Sequence, residues 1–186
     1  MKYLKAKKHI YFIAIGGIGM SAIALVLLKK GFKISGSDLK PNSLTKELQR
    51  LGVKVYSCHK KENIKNGVDL IVYSSCIRSD NPEMQEARKR KIVTVPRGVV
   101  LAELADEKET IAVAGCHGKT TTSGMIATML TGAGLDPTAL IGGEVNFLNS
   151  NARLGAGKYL VTEADESDGS FLKLRPMYSV LTNIDE

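Results

Sequence analysis

Twelve residues, Ile111-Ala112-Val113-Ala114-Gly115-Cys116-His117-Gly118-Lys119-Thr120-Thr121-Thr122, leave this chain few architectures. An apolar run of strand character stops at Gly115, turns through Gly118, and resumes at Lys119 with Met125, Ile126, Met129 and Leu130 at helical spacing. A strand that hands over to a helix in so few residues belongs in an α/β domain, where the helix returns across one face of a parallel sheet. The loop also carries chemistry. Its glycines let backbone N–H groups point inward, the new helix presents the positive end of its dipole, Lys119 can neutralise terminal phosphate charge, and Thr120 can ligate Mg²⁺. The strict phosphate-loop spacing would need glycine where Val113 stands, so this is a shortened loop, G-x-x-G-K-T. The expected ligand is a nucleoside triphosphate.

A second handover lies near the amino terminus. From Ile10 to Leu28 no residue is charged and lysines flank the run on both sides, as in a membrane span or a signal sequence. Gly16, Gly17 and Gly19 interrupt it where a strand should give way to a helix, and no small-residue cleavage site follows. The run therefore reads as a strand over 9–15, a glycine turn over 16–20 and a helix over 21–30 that ends near Gly31. Gly17-Ile18-Gly19-Met20-Ser21-Ala22 fits G-x-G-x-x-A, and Asp38 stands 21 residues after Gly17, beyond a strand predicted over 33–37. That pattern sets a diphosphate on the loop and a carboxylate beside a ribose.

The alternation continues with a helix over 43–51, a strand over 53–56, a polar connector holding His59, and a strand over 69–73. The polar loop Ser74–Pro82 then lies at a strand's carboxyl end, where open α/β sheets bind ligands. A helix over 82–91, a strand over 92–95 and a helix reaching Leu104 complete the first domain, expected over residues 1–104. Residues 105–186 form the second, beginning at a polar patch over 105–109. After the loop helix, Gly132 and Gly134 mark its stop, 138–141 reads as a strand, 142–146 as a loop, and 157–162 as a strand. That last strand delivers Glu163, Asp165, Glu166 and Asp168, whose mutual repulsion a nucleotide-borne Mg²⁺ would relieve. A strand over 177–184 ends the sequence without a following helix to cover it, which predicts a fragment of a longer domain.

Composition narrows the function classes. Residues 1–104 carry 20 basic against 8 acidic side chains and residues 105–186 carry 6 against 11, so the net charge of +7 divides into +12 and −5. A basic first half suits a polyanionic small ligand. Aromatics make up only 5% and do not interleave with the basic residues, which disfavours nucleic acid. Three cysteines without a C-x-x-C pair indicate a reducing compartment, so a cytoplasmic address and no membrane span are expected. Met20, Met125 and Met129 read as core packing, His9 and His59 as structural or solvent-facing, and Ser167 and Ser170 lack an adjacent base for nucleophilic work.

Taken together, four stretches resemble the Mur ligases: Ile15-Gly16-Gly17-Ile18-Gly19-Met20-Ser21, then Ser74-Ser75-Cys76-Ile77 with Asp80-Asn81-Pro82-Glu83, then Gly115 to Thr122, then Glu163 to Leu172 running to Thr182-Asn183-Ile184. The resemblance implies a Rossmann-like parallel-sheet domain followed by the first part of a P-loop-type α/β ATPase domain. It implies an ATP-dependent amide ligase of peptidoglycan precursor synthesis, which activates the carboxylate of UDP-N-acetylmuramate as an acyl phosphate for attack by the amine of L-alanine. Gly16, Gly17, Ile18, Gly19, Met20 and Ser21 would cradle the UDP diphosphate, with Ser37, Asp38, Ser74 and Ser75 near uridine. Gly115, Cys116, His117, Gly118, Lys119, Thr120 and Thr121 would hold ATP phosphates. Thr120 and Glu163 would reach Mg²⁺, and Lys119 and Glu163 would be the catalytic pair. Cys116 stands where the family usually has threonine, and the family's metal-binding histidine would fall past Glu186, so the fragment should bind UDP-sugar without completing catalysis. Two other readings are a UDP-sugar-binding module without catalysis and a nicotinamide-dependent oxidoreductase; the latter leaves Gly115–Thr122 without a role.

Overall fold

The computed structural model describes residues 2–145, 150–165 and 169–184. The chain falls into two compact units, Lys2–Val100 and Leu101–Glu186. In the first, strands and helices alternate: β1 (His9–Ile13), α1 (Ile18–Lys29), β2 (Lys33–Ser37), α2 (Ser43–Arg50), β3 (Lys54–Tyr56), a 3-10 turn (Lys61–Asn63), β4 (Leu70–Tyr73), α3 (Pro82–Lys89) and β5 (Val93–Pro96). Every pairing is parallel, in the order β3-β2-β1-β4-β5. The chain winds outward from β1 in one direction and then from β4 in the other, so a crevice opens beyond the carboxyl ends of these two strands.

The uncharged run is thus divided between a central strand and a covered helix. All five residues of β1 are buried, as is α1 from Met20 to Leu27. Among the described residues, no helix is long and apolar enough to cross a membrane. The helix starts at Ile18, three residues before the sequence places it, with Gly17 as its N-cap. Gly19 therefore sits in the first helical turn, a position where its lack of a side chain matters, because a Cβ there would overlap the Arg97 guanidinium. Elsewhere the helix starts follow local chemistry. Asn42 and Thr45 form a reciprocal capping box on α2, and the Asn81 side chain accepts from the Glu83 and Met84 amides ahead of α3, with Pro82 fixing its first turn.

At the opposite end of β1, the His9 ring packs against the Ser35 hydroxyl at 2.8 Å, and Asp69 accepts from the Lys8 and His9 amides at 2.9 and 3.0 Å. Burial holds the His9 pKa below its ordinary 6.5, helped by Lys33 and opposed by Asp69. The two backbone N–H groups likewise hold Asp69 below 3.8. Both groups bind protons more readily when unfolded, so each contributes stability that is complete above its unfolded pKa and is lost as pH falls toward the folded value. The melting temperature of the chain is expected to decline as pH drops from 7 to 5, because the lowered pKa of His9 withdraws its contribution across that window. Replacing His9 by Gln should flatten this decline; an equally steep decline in the variant would remove His9 as its cause.

Helix α4 (Arg97–Ala105) spans the division between the units. The second unit contains β6 (Glu109–Ala114), α5 (Lys119–Gly132), β7 (Thr138–Val145), β8 (Ser150–Arg153), β9 (Tyr159–Glu163), a 3-10 turn (Ser170–Lys173) and β10 (Tyr178–Leu181). Its sheet runs β10-β6-β9-β7-β8, parallel except for the antiparallel β7–β8 pair. Two expectations are corrected here. The stretch 142–145 is not loop but the second half of β7, and β8, absent from the sequence reading, pairs with it. Gly142 and Gly143 conceal the strand because they are there for clearance: a Cβ at Gly142 would stand 2.6 Å from Glu163 Oε2, and one at Gly143 would stand 2.8 Å from Thr120 Cγ2. The other correction concerns α5. Ile126, Ala127 and Leu130 pack on Ala139, Ile141 and Val161, while Met125 and Met129 are 54% and 65% exposed. Only one stripe of the helix faces the sheet, and the methionine pair lies outside it. Met20 is buried as expected. Asn146, Glu166, Ser167 and Asp168 lie outside the described residues.

Candidate functional site

The crevice of the first unit is a cavity of about 640 Å³, lined by residues that follow β1 (Ala14, Gly16, Gly17), β2 (Asp38, Leu39, Lys40, Asn42), β3 (His59) and β4 (Ser74, Cys76, Ile77, Arg78), and by Asp80–Pro82. Its glycine loop is held from below. Asp38 Oδ2 accepts from the Gly16 amide at 2.8 Å, Asp38 Oδ1 accepts from the Lys40 amide at 2.9 Å, and Asn42 donates to the Gly16 carbonyl at 2.9 Å. A Cβ on Gly16 would lie 2.8 Å from both Asp38 Oδ2 and Thr45 Cγ2. Asp38 thus shapes the loop while keeping lone pairs for a ligand. The N-terminus of α1 carries no side-chain cap and no acidic residue in its first turn, which suits an anion.

The remaining predicted residues divide. Ser74 lines the cavity, Ser75 is exposed without lining it, and Ile18 is 40% exposed. Met20 and Ser21 are buried, the Ser21 hydroxyl bonding the Ile18 carbonyl. Ser37 is fully buried and donates to Glu83 Oε2 at 2.6 Å. Glu83 is the residue that sequence reasoning missed. Its carboxylate, also fully buried, accepts from Tyr11 at 2.7 Å and Asn63 at 2.7 Å and faces His59 Nδ1 at 3.1 Å. Burial, and secondly the Glu83 charge, push the Tyr11 phenol far above its ordinary pKa, which keeps it a donor. With Nδ1 turned to Glu83 and Ser37, His59 is among the residues that line the cavity. The one available signal was Asn-Pro-Glu, a helix start with an acid on its buried side.

In the second unit, Gly115 and Gly118 adopt φ +128° and +80°, conformations that favour glycine. Gly118 is the N-cap of α5 and no side chain caps that helix, whose first turn also lacks an acid. Lys119 reaches back to the Gly115 carbonyl at 2.5 Å. Glu163, at the end of β9, accepts from the Gly142 amide at 2.8 Å and the buried Ser123 hydroxyl at 3.3 Å. Thr120, Glu163 and Gly142–Gly143 therefore converge at the carboxyl end of the sheet. Among the described residues, no three His, Cys, Asp or Glu side chains group as a metal site. One carboxylate with one hydroxyl beside an uncapped helix start suits a hard cation that arrives with ligands of its own, as Mg²⁺ does on a nucleotide.

Residues 9–109 match the family described as Mur ligase family, catalytic domain. A UDP-N-acetylmuramate–L-alanine ligase of Aquifex aeolicus is 55% identical over 179 residues, which is 96% of this chain and 39% of that protein. A ligase of the same name from Geotalea uraniireducens is 55% identical over 183 residues, 98% of this chain and 40% of that one. The chain thus spans about two-fifths of the length of these curated relatives. Among solved structures, the UDP-N-acetylmuramate-alanine ligase of Thermotoga maritima superposes with a TM-score of 0.90 at 34% identity, covering 95% of this chain and 41% of that one. A UDP-N-acetylmuramate:L-alanyl-gamma-D-glutamyl-meso-diaminopimelate ligase from Neisseria meningitides gives 0.90 at 30% identity, covering 97% and 61%. With the family match extending over more than half its residues and both sheets reproduced in solved ligases, this chain belongs to the Mur ligase family.

Proposed function

We propose that the chain supplies the UDP-sugar-binding and ATP-binding parts of a UDP-N-acetylmuramate:L-alanine ligase of peptidoglycan precursor synthesis. The observation that carries this reading is the convergence of Lys119, Thr120 and Glu163 on an uncapped helix start, in the same chain as a separate glycine-loop cavity. The names borne by the relatives at 55% identity support the choice of substrates. In the first unit, the Gly16–Ser21 segment would receive the UDP diphosphate at the start of α1, and Asp38, Ser74 and His59 would meet the uridine. In the second, the loop from Gly115 to Thr121 would hold the ATP phosphates. Thr120 and Glu163 would hold Mg²⁺, which when bound screens charge between phosphate oxygens. Lys119 would leave the Gly115 carbonyl to neutralise the phosphoryl group as it moves to the muramoyl carboxylate. The acyl phosphate so formed is open to the amine of L-alanine, with phosphate as the leaving group.

Calorimetric titration with UDP-N-acetylmuramate is expected to show saturable binding, and NADH none. Gly16→Ala should weaken the UDP-sugar by about tenfold or more, since the new methyl must displace either Asp38 or Thr45. No heat with millimolar UDP-N-acetylmuramate, or saturable binding of NADH in its place, would remove the assignment.

A further inference from the structure

The loop Gly115–Gly118 is built against two residues far along the chain. Register between β10 and β6 aligns Leu181 with Ala114, which brings Thr182 and Asn183 level with the loop. Asn183 Oδ1 accepts from the Cys116 amide at 2.8 Å and the His117 amide at 3.1 Å, while Asn183 Nδ2 donates to the His117 carbonyl at 3.2 Å. Two donors against one atom and an acceptor against the other allow the carboxamide only this orientation. Thr182 adds its amide to the Ala114 carbonyl at 3.0 Å and its hydroxyl to the His117 carbonyl at 2.6 Å. A Cβ on Gly115 would overlap the Thr182 hydroxyl and stand 3.0 Å from the Asn183 amide nitrogen and carbonyl oxygen. These contacts all fall on Ala114–His117. Beyond Gly118 the first helical bond is from the Thr122 amide to the Gly118 carbonyl at 2.9 Å, and no side chain caps the turn between.

We propose that Asn183, seated by Thr182, is a positioning residue that templates the phosphate loop: its carboxamide takes up the Cys116 and His117 amide hydrogens, so that a triphosphate is met by the N–H groups from Gly118 into the first turn of α5. The proposal rests on the reading of this loop as the ATP site. A loop with two glycines at positive φ has many alternative shapes when unliganded, and three hydrogen bonds to one planar group remove most of them before ligand arrives. The opposite arrangement would be a placeholder, in which the carboxamide oxygen marks a phosphate position and withdraws when nucleotide binds. The two differ in sign: losing a template weakens nucleotide binding, whereas losing a placeholder strengthens it.

The test compares the wild-type chain with Asn183→Ala and Asn183→Asp, following backbone amides by NMR with and without ATP and Mg²⁺. In the wild type, the titration should move Gly118–Thr121 most, and the Cys116 and His117 amides should exchange slowly throughout. Asn183→Ala should speed exchange at those two amides about tenfold and weaken MgATP by a similar factor, the measure of one or two net hydrogen bonds. Asn183→Asp keeps an acceptor for both amides, so slow exchange should return while MgATP affinity stays low beside the added negative charge. MgATP binding that is unchanged or tighter in Asn183→Ala, or exchange that does not change, would overturn the template. Wild-type chain that binds no MgATP would refute the ATP reading instead, and the exchange rates alone would then decide whether Asn183 holds the loop.

Discussion

Glu83→Leu should lower the melting temperature of this chain by about 8 °C or more, the largest stability effect expected of any single substitution named here. The residue is fully buried, and Tyr11, Ser37 and Asn63 all donate to its carboxylate while His59 Nδ1 lies 3.1 Å away. Leucine fills similar space but accepts nothing. Each buried donor left without a partner costs about 1–3 kcal/mol, so stranding Tyr11 and leaving Ser37 and Asn63 with one partner each, the His59 ring and the Cys58 carbonyl, amounts to about 2–3 kcal/mol. For a unit of this size about 1 kcal/mol corresponds to roughly 4–8 °C. Tyr11→Phe, which removes one donor and leaves the acid satisfied by others, should cost only about 1 kcal/mol. Combining Glu83→Leu with Tyr11→Phe and Ser37→Ala should recover part of the loss, because fewer donors are then stranded. A melting temperature for Glu83→Leu within about 3 °C of wild type would show that the carboxylate contributes little to the first unit. The same variant should also weaken UDP-N-acetylmuramate, since His59, which lines the cavity, loses the Glu83 carboxylate that helps hold its ring.

The sequence made some of this structure legible and hid the rest for identifiable reasons. The parallel character of the first sheet, though not its strand order, was readable because glycine turns and apolar runs alternate at the spacing of strand–helix units, and Gly31, at φ +91°, closes α1 where expected. The β7–β8 pair was hidden because Gly142 and Gly143 read as a break, whereas the strand needs them to pass Glu163 and Thr120. Met125 and Met129 fit helical spacing as well as Ile126 and Leu130 do, and only the sheet decides which of the two stripes it covers. Loop residues of the candidate sites could be named from local pattern. Glu83, His59 and Asn183 could not be given their roles, because each acts on residues more than 20 positions away, brought near by strand register.

Lys119→Ala, in a complete ligase containing this chain, should lower kcat for amide formation by about a thousandfold, the range typical for removing a charge that meets a transferring phosphoryl group. The side chain belongs to the first residue of α5 and now bonds the Gly115 carbonyl at 2.5 Å, four residues back. That tether keeps the ammonium over the loop, within a short rotation of any phosphate seated at the uncapped helix start. Because negative charge grows on the β–γ bridging oxygen as the phosphoryl group leaves ADP, the interaction strengthens in the transition state, and kcat should fall more than KM for ATP rises. Lys119→Arg should not restore the rate, since a planar guanidinium cannot occupy the same point beside Gly115. Calorimetry supplies the control: UDP-N-acetylmuramate is proposed to bind in the other unit, so its affinity should be unchanged in both variants. A kcat within tenfold of wild type, with that affinity intact, would mean that the shortened loop positions ATP through its backbone alone and that the lysine is held by Gly115 for structural reasons.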